Sequence, residues 1–184
     1  AQEFGNAGSL HSYGDVARAA VEQARGQVAA AIGAEPTEIV FTSGATESNN
    51  LANRGIAERT RRRGNHLVSV ATEHRAVLDP LRRLAQRGFE VTLLDVVPHP
   101  GMNAGWLDPL RVEAALRDDT CLVSVMLANN EIGVIQPIRQ IAEVCHQRGI
   151  MLHCDATQAV GKIEVDVVDL DVDLLSFSAH KVYG

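Results

Sequence analysis

Long apolar stretches and an excess of positive charge are both missing from this 184-residue sequence. No run approaches the about 20 apolar residues that a membrane-spanning helix requires. The first residues, Ala-Gln-Glu-Phe-Gly, lack the basic segment leading into an apolar one that is typical of a signal peptide. Lysine and arginine number 17 against 23 aspartates and glutamates, so the formal net charge is −6, whereas nucleic-acid binding usually needs a basic surface. The sequence therefore predicts neither a membrane segment nor a nucleic-acid partner.

Cysteine is scarce and widely spaced. Cys121, Cys145 and Cys154 are odd in number and form no C-x-x-C pair, which argues against a disulfide framework and against a thiolate metal site. Cys121 and Cys154 lie in apolar runs, where a cysteine usually serves as a small buried hydrophobic residue. His153 and Asp155 share one face of a predicted strand, but no third ligand is evident, so no metal site is predicted. We expect a reduced, cytoplasmic protein.

Lysine is almost absent, since 15 of the 17 basic residues are arginines and only Lys162 and Lys181 are lysines. Arginine does not lose its proton in proteins, whereas lysine can act as a nucleophile when its surroundings lower its pKa. A lysine retained in so arginine-rich a sequence is a candidate for chemistry. The alternative is an ordinary exposed side chain.

Apolar strand-like runs alternate with helical patterns along the chain. Helices are predicted from Asp15 to Ile32, from about residue 45 to 59, from 76 to 86, from Asp108-Pro109 onward and from 138 to 147. Strands are predicted at 39–41, 66–71, 89–97, 121–127, 150–154 and 174–177. This alternation predicts an α/β fold with three layers, α/β/α, around a mostly parallel (mixed) sheet.

Polar loops follow five of the predicted strands. In open α/β sheets ligands bind where loops leave the carboxyl ends of the strands, so these loops are the candidate site. They comprise residues 42–46, 72–74, 129–133, 155–158 and 178–181.

Four features of these loops fit one cofactor, although each also has a simpler interpretation. The turn at 43–46 opens a helix and could hold a phosphate through backbone N–H groups, or it could be a plain helix cap. Asp155 could pair with a ring nitrogen or be solvated, and His74 could lie against a ring or be an ordinary polar residue. Lys181 could bond an aldehyde or be exposed. Together they describe a pyridoxal-phosphate site.

Five stretches of the chain resemble the cysteine desulfurases, in the order and at the approximate spacing of that family, so that the likeness covers essentially the whole sequence. The stretches are 41–50 (FTSGATESNN), 72–78 (TEHRAVL), 129–133 (NNEIG), 155–162 (DATQAVGK) and 173–184 (DLLSFSAHKVYG). The resemblance implies the large domain of a fold-type-I pyridoxal-phosphate enzyme.

The resemblance also implies a role for each matching residue. Lys181 matches the lysine that bonds the cofactor, and His74 the imidazole that stacks on its ring and assists proton transfer. Asp155 matches the partner of the ring nitrogen, Gln158 the partner of the phenolic oxygen, and Asn130 a further polar contact. The positions that match the phosphate-binding region are Ala45, Thr46, Ser178 and His180. Ala179 is also expected to contact the cofactor.

The implied reaction converts L-cysteine to L-alanine and leaves the sulfur as a persulfide on an enzyme cysteine, for iron–sulfur clusters or thio-modified products. Family members are homodimers, and a sulfur-acceptor or iron–sulfur scaffold protein is implied as a further partner. A selenocysteine lyase, another class-V aminotransferase-like enzyme and a non-catalytic fragment remain alternatives.

The chain departs from the family pattern at both ends. Residues 1–184 match a partial large domain that begins after the family's first strand, and the C-terminal small domain is absent. None of the three cysteines matches the persulfide-forming position. We expect that the fragment alone does not complete desulfuration.

Overall fold

The computed structural model describes residues 5–9 and 12–182, in which helices and strands alternate as predicted. The helices are α1 (Ser12–Ala31), α2 (Ala45–Thr60), α3 (Arg75–Gln86), α4 (Pro109–Ala115), α5 (Ile138–His146) and α6 (Val167–Leu170). The strands are β1 (His66–Val70), β2 (Glu90–Leu94), β3 (Thr120–Met126), β4 (Met151–Asp155) and β5 (Leu174–Ser176). Short 3-10 turns occupy Pro36–Glu38 and Ala179–Lys181.

The five strands form one sheet in the order β2-β1-β3-β4-β5, and every pairing among them is parallel. The chain adds β2 on one side of β1 and then returns to add β3 on the other side. The carboxyl ends of β1 and β3 therefore form a topological switch point, the place where open parallel sheets bind ligands.

Helices cover both faces of the sheet, which confirms the three-layer α/β/α prediction. One face buries Val68, Val123 and Leu152 in a core that includes Val112 of α4 and Ile141 of α5. The opposite face carries a smaller apolar cluster, to which the strands β1 and β3 and the helices α2 and α3 contribute. Its buried members are Ala57, Leu67, Val77, Leu81, Leu84, Phe89, Cys121 and Leu122. Successive strand residues point to opposite faces, so the apolar runs β1, β3 and β4 supply both cores.

Two helices begin at a side chain that caps them. Asp108 accepts a hydrogen bond from the Leu110 N–H at 2.9 Å, and Pro109 occupies the first turn of α4, which confirms the predicted start of that helix. His74 caps α3 by accepting from the Ala76 N–H at 3.1 Å. Helix α1 begins at Ser12, three residues before the predicted start at Asp15.

The predicted strand at residues 39–41 is wrong. The backbone there pairs with no strand in the described part of the chain, and Val40 and Phe41 are 68% and 50% exposed. Arg25 instead donates to the Ile39 carbonyl and stacks over the Phe41 ring, 5.0 Å from its centroid. Three consecutive β-prone apolar residues predict a strand locally, but a strand needs a neighbour to take its hydrogen bonds.

Over the described residues, no helix combines the length and the apolar character needed to cross a membrane.

Candidate active site

A cavity of about 440 Å³ opens at the carboxyl ends of the strands, where the polar loops were predicted to meet. It is bounded by the N-terminus of α2, the loops after β1, β3 and β4, and the 3-10 turn after β5. The sequence-predicted residues that line it are Ala45, Thr46, His74, Asn130, Asp155, Gln158, His180 and Lys181.

Ser178 and Ala179 are the predicted residues that do not line this cavity. They border a larger adjoining cavity of about 710 Å³, and His180 lines both. The Ser178 hydroxyl lies 2.7 Å from His180 Nδ1 and would be 4.0 Å from a Cβ placed on Gly44. The buried Ser178 side chain therefore lies beside the turn that opens α2.

The N-terminus of α2 offers unpaired backbone donors to the cavity. Gly44 precedes the helix at φ 149°, a conformation that L side chains rarely adopt. Within residues 5–9 and 12–182 the N–H groups of Ala45 and Thr46 have no acceptor. Glu47 accepts from the Ser43 N–H at 2.6 Å, which lowers the pKa of Glu47. The free N–H groups and the helix dipole make this turn suited to an anion.

Asp155 ends β4 as a buried carboxylate with both oxygens engaged. Its Oδ2 accepts from Asn49 Nδ2 at 2.8 Å, and its Oδ1 accepts from the Thr157 N–H at 2.9 Å. The side chain is 5% exposed, but it reaches the cavity wall. These two donors fix the direction in which the carboxylate presents its remaining lone pairs.

His74 lines the cavity from the start of α3. Because its Nδ1 accepts from the Ala76 N–H, the neutral imidazole carries its proton on Nε2; this tautomer is assigned from the hydrogen-bond pattern. The capping bond also fixes the ring to the helix start, so that His74 serves both α3 and the cavity wall.

The two lysines have different surroundings. Lys162 Nζ donates to Gln158 Oε1 at 2.7 Å, which leaves the Gln158 Nε2 donor free for another partner. Lys181 is exposed in the 3-10 turn at the cavity, and its amine has no hydrogen-bond or ion-pair partner in the described ranges 5–9 and 12–182. Of the two, Lys181 is the amine available to a molecule in the cavity.

Sequence reasoning gave no role to Glu73, which is 6% exposed and lies at the switch point. Its Oε1 accepts from the Met126 N–H at 2.5 Å, and its Oε2 has no partner in the described segments of the chain. Burial first, and then the charge of Asp155, raise the pKa of Glu73 well above its usual range, against the opposing effect of the Met126 hydrogen bond. An acidic residue immediately after an apolar strand was the available signal, but its partner is 53 residues away.

The chain matches the aminotransferase class-V family over residues 1–184, and it belongs to that family. Within the family it is similar to cysteine desulfurases. It is 55% identical over 184 residues to the cysteine desulfurase IscS of Neisseria meningitidis, and 57% identical over 182 residues to that of Aeromonas hydrophila. Both matches cover at least 98% of this chain but only 44% of the relative, so the chain spans less than half the length of these proteins.

Solved structures agree with this relationship. A structure described as SspA in complex with cysteine superposes with a TM-score of 0.93 at 40% identity, covering 100% of this chain and 52% of the other. DndA from Streptomyces lividans superposes with a TM-score of 0.82 at 47% identity, covering 97% of this chain and 49% of the other. This chain therefore shares the fold of these two proteins, in agreement with the resemblance read from the sequence.

Proposed function

We propose that this chain is the cofactor-binding part of a pyridoxal-phosphate-dependent cysteine desulfurase. The observation that carries the proposal is the single cavity that combines an unpaired lysine, a capped histidine, a fixed carboxylate and a helix N-terminus. The similarity to proteins named cysteine desulfurase, and to a structure solved in complex with cysteine, supports L-cysteine as the substrate.

The residues of the cavity fit pyridoxal phosphate chemically. The α2 N-terminus presents free N–H groups to a phosphate, and Asp155 presents a carboxylate to a protonated ring nitrogen. Two buried oxygens of the wall, Asn49 Oδ1 and Thr157 Oγ1, have no partner in the described protein. A volume of about 440 Å³ lies in the ordinary range for small-molecule sites.

Each cavity residue then has a definite task. Lys181 would hold the cofactor aldehyde through Nζ and, once released, move the proton at the substrate Cα. His74 would lie against the ring with Nε2–H as its available donor, and the free Nε2 of Gln158 would donate to the phenolic oxygen. Bound pyridoxal phosphate supplies an electron sink for charge that develops at Cα.

Phosphate binding falls to the α2 N-terminus and the turn after β5. Ala45 and Thr46 would donate backbone N–H groups, and the Thr46 hydroxyl would add a donor. The imidazole of His180 would donate a further hydrogen bond to the phosphate from the cavity wall. Ser178 and Ala179, which line the adjoining cavity, would hold His180 in place. Asn130, which also lines the cavity, would provide a further polar contact.

The sulfur-accepting cysteine is none of the three in this sequence. Cys121, Cys145 and Cys154 are buried, and burial raises the pKa of each thiol, that of Cys145 to about 12. A thiol must ionise and be accessible to act as a nucleophile. We therefore place the persulfide cysteine outside these 184 residues.

The wider setting follows from the same proposal. Relatives named IscS support iron–sulfur cluster or thio-cofactor assembly as the destination of the sulfur, with an acceptor or scaffold protein as partner. A homodimer and a cytoplasmic location belong to this proposal as well.

Covalent trapping tests the proposal. The purified protein is incubated with pyridoxal phosphate, reduced with borohydride and mapped by peptide mass spectrometry. We expect the cofactor on Lys181, no label in Lys181→Ala and full labelling in the matched control Lys162→Ala. Labelling of Lys162 instead, or none in the wild type, would refute the cofactor assignment. Formation of alanine and sulfide from L-cysteine by the full-length protein then tests the substrate.

A further inference from the structure

Helix α2 buries two asparagine side chains against the sheet. Asn49 and Asn53 are both 0% exposed and lie one helical turn apart on the same face. The sheet meets them with the polar residues Ser124, His153 and Ser176, all at most 2% exposed. Burying polar groups is unfavourable unless they are hydrogen-bonded, so this contact has a cost that an apolar contact would avoid.

Asn49 joins two parts of the cavity wall. Its Nδ2 donates to Asp155 Oδ2 at 2.8 Å across 106 residues of sequence, while its Oδ1 has no partner among the residues that the structure describes. In the chain it stands three and four residues after Thr46 and Ala45, whose N–H groups face the cavity. The start of α2 thus contains both the N–H groups suited to an anion and the Asn49 side chain that is hydrogen-bonded to Asp155 on β4.

Asn53 belongs to the layer behind this link. Its Nδ2 donates to the backbone carbonyl of Asn49 at 2.9 Å and lies 3.4 Å from His153 Nδ1. His153 also contacts the Ser124 hydroxyl at 2.8 Å through Nδ1 and the Ser176 hydroxyl at 2.9 Å through Nε2. These bonds hold α2 to β3, β4 and β5.

The supporting layer is uncharged. Complete burial lowers the pKa of His153 to about 4, against a smaller opposing influence of Asp155, so the imidazole is neutral at pH 7. The layer therefore places no second charge beside Asp155, and the direct donor from α2 to the carboxylate is the amide of Asn49.

We propose that Asn49 is a positioning residue, which sets the distance and orientation between the α2 N-terminus and Asp155 and so matches them to the phosphate and the ring nitrogen of one cofactor molecule. The inference rests on the proposed function. The cofactor is rigid, so groups that bind its two ends act together only when their separation is held. A hydrogen bond from an amide to a carboxylate is the short and directional contact that can hold it.

Two leucine variants separate positioning from packing. In the full-length protein, Asn49→Leu removes the donor to Asp155 and keeps the number and branching of the side-chain heavy atoms. Asn53→Leu is the matched control, because it removes an equally buried amide from the same helix without touching the carboxylate. We expect Asn49→Leu to raise the Kd for pyridoxal phosphate about tenfold, since hydrogen bonds to charged groups are the strong ones. We expect Asn53→Leu to leave that Kd within about twofold, whatever it does to Tm.

A third variant supplies a pH signature that packing alone would not give. In Asn49→Asp the introduced carboxyl lies against Asp155, and two adjacent carboxyls share one proton. At low pH the shared proton replaces the lost amide donor, whereas at high pH the two anions repel each other. Cofactor titration measures the Kd of both variants at pH 6 and at pH 8. We expect the fold-increase in Kd between these pH values to be about ten times larger for Asn49→Asp than for Asn49→Leu.

The outcomes decide the inference. Equal effects of Asn49→Leu and Asn53→Leu on Kd, or parallel pH profiles for Asn49→Asp and Asn49→Leu, would overturn it. A wild-type protein that binds the cofactor together with a selective loss in Asn49→Leu supports it. A wild type that fails to bind pyridoxal phosphate would overturn the proposed function first, and this inference with it. If Asn49→Leu does not fold, the pH profile of Asn49→Asp against wild type decides alone.

Discussion

The two faces of the sheet use the same strands for different purposes. Towards α4 and α5, β4 presents Leu152 and Cys154, both 0% exposed, in a wholly apolar core. Towards α2, the same strand presents His153 and Asp155, which are also buried but hydrogen-bonded. Alternation along one strand thus separates an apolar face from a polar one.

The difference shows where the fold gains stability and where it accepts a cost. The apolar face excludes water and needs no partners for its side chains, so its contribution scales with the area buried. The polar face must satisfy each buried group individually, and within the described part of the chain it leaves Asn49 Oδ1, Asn53 Oδ1 and Glu73 Oε2 without partners. Groups of this kind are retained at sites where their chemistry is used. We therefore expect substitutions on the two faces to act on different measurements.

Asp155→Asn is expected to have the largest effect on function. The substitution keeps the shape of the side chain but removes the charge that would hold a proton on the cofactor ring nitrogen. We expect turnover of L-cysteine by the full-length protein to fall about 10²- to 10³-fold, a loss comparable to removal of an electrostatic stabiliser from other active sites. Alanine formation at saturating L-cysteine measures it. Retention of more than a tenth of the activity, which is about 1.4 kcal/mol, would contradict the assignment.

Leu152→Ala, three residues earlier on the same strand, is expected to show the opposite behaviour. Leu152 is fully buried, so its truncation leaves a cavity and lowers the free energy of unfolding by about 2–5 kcal/mol. Urea unfolding measures this loss, and a cofactor titration of the folded variant should give the wild-type Kd. A weakened Kd without a loss of stability would show that the two faces are not independent.

Much of this arrangement was predictable from local sequence patterns. Apolar runs bounded by helical patterns predicted the layers and the parallel strands, and polar residues after strand ends predicted the loops that form the cavity. Caps such as Asp108-Pro109 were readable because their chemistry is contained in a few neighbouring residues.

What escaped prediction depends on long-range partners. The 39–41 segment has the composition of a strand but no neighbour in the described chain to pair with. The local sequence assigned no role to Asn49, because its partner Asp155 lies 106 positions away. Glu73 similarly depends on the Met126 N–H, which only the sheet brings within reach. The positions of Ser178 and Ala179 behind the cavity also follow from the packing of the last turn.

Substitutions of His74 test whether one residue on the polar side serves both purposes. His74→Ala removes the cap of α3 and the imidazole, so we expect a loss of about 1 kcal/mol in unfolding free energy together with a loss of turnover. His74→Asn supplies a good capping side chain without an imidazole, so stability should return while turnover stays low. Chemical denaturation and alanine formation, measured in parallel, separate the two roles. Recovery of turnover in His74→Asn would show that capping alone was needed.

The smallest expected effect lies on the outer side of the apolar layer. His146 of α5 contacts Asp173 Oδ2 at 3.0 Å and Asp171 Oδ2 at 3.2 Å, and the hydrogen bond to Asp173 is the main cause of its raised pKa. A raised folded-state pKa means that this stabilisation is complete below the unfolded value of about 6.5 and is lost as pH rises through the folded value. Because the side chain is one-third exposed, we expect only about 0.5 kcal/mol.

Comparison of wild type with His146→Gln isolates this contribution. The difference in unfolding free energy between the two proteins should be largest near pH 5.5 and should shrink towards pH 8, while the Kd for the cofactor stays equal throughout. The cofactor control matters because His146 lies on the outer surface of the layer that we assign to stability alone. A difference that grows with pH would reverse the sign of the linkage, and a change in Kd would break the separation between the two faces.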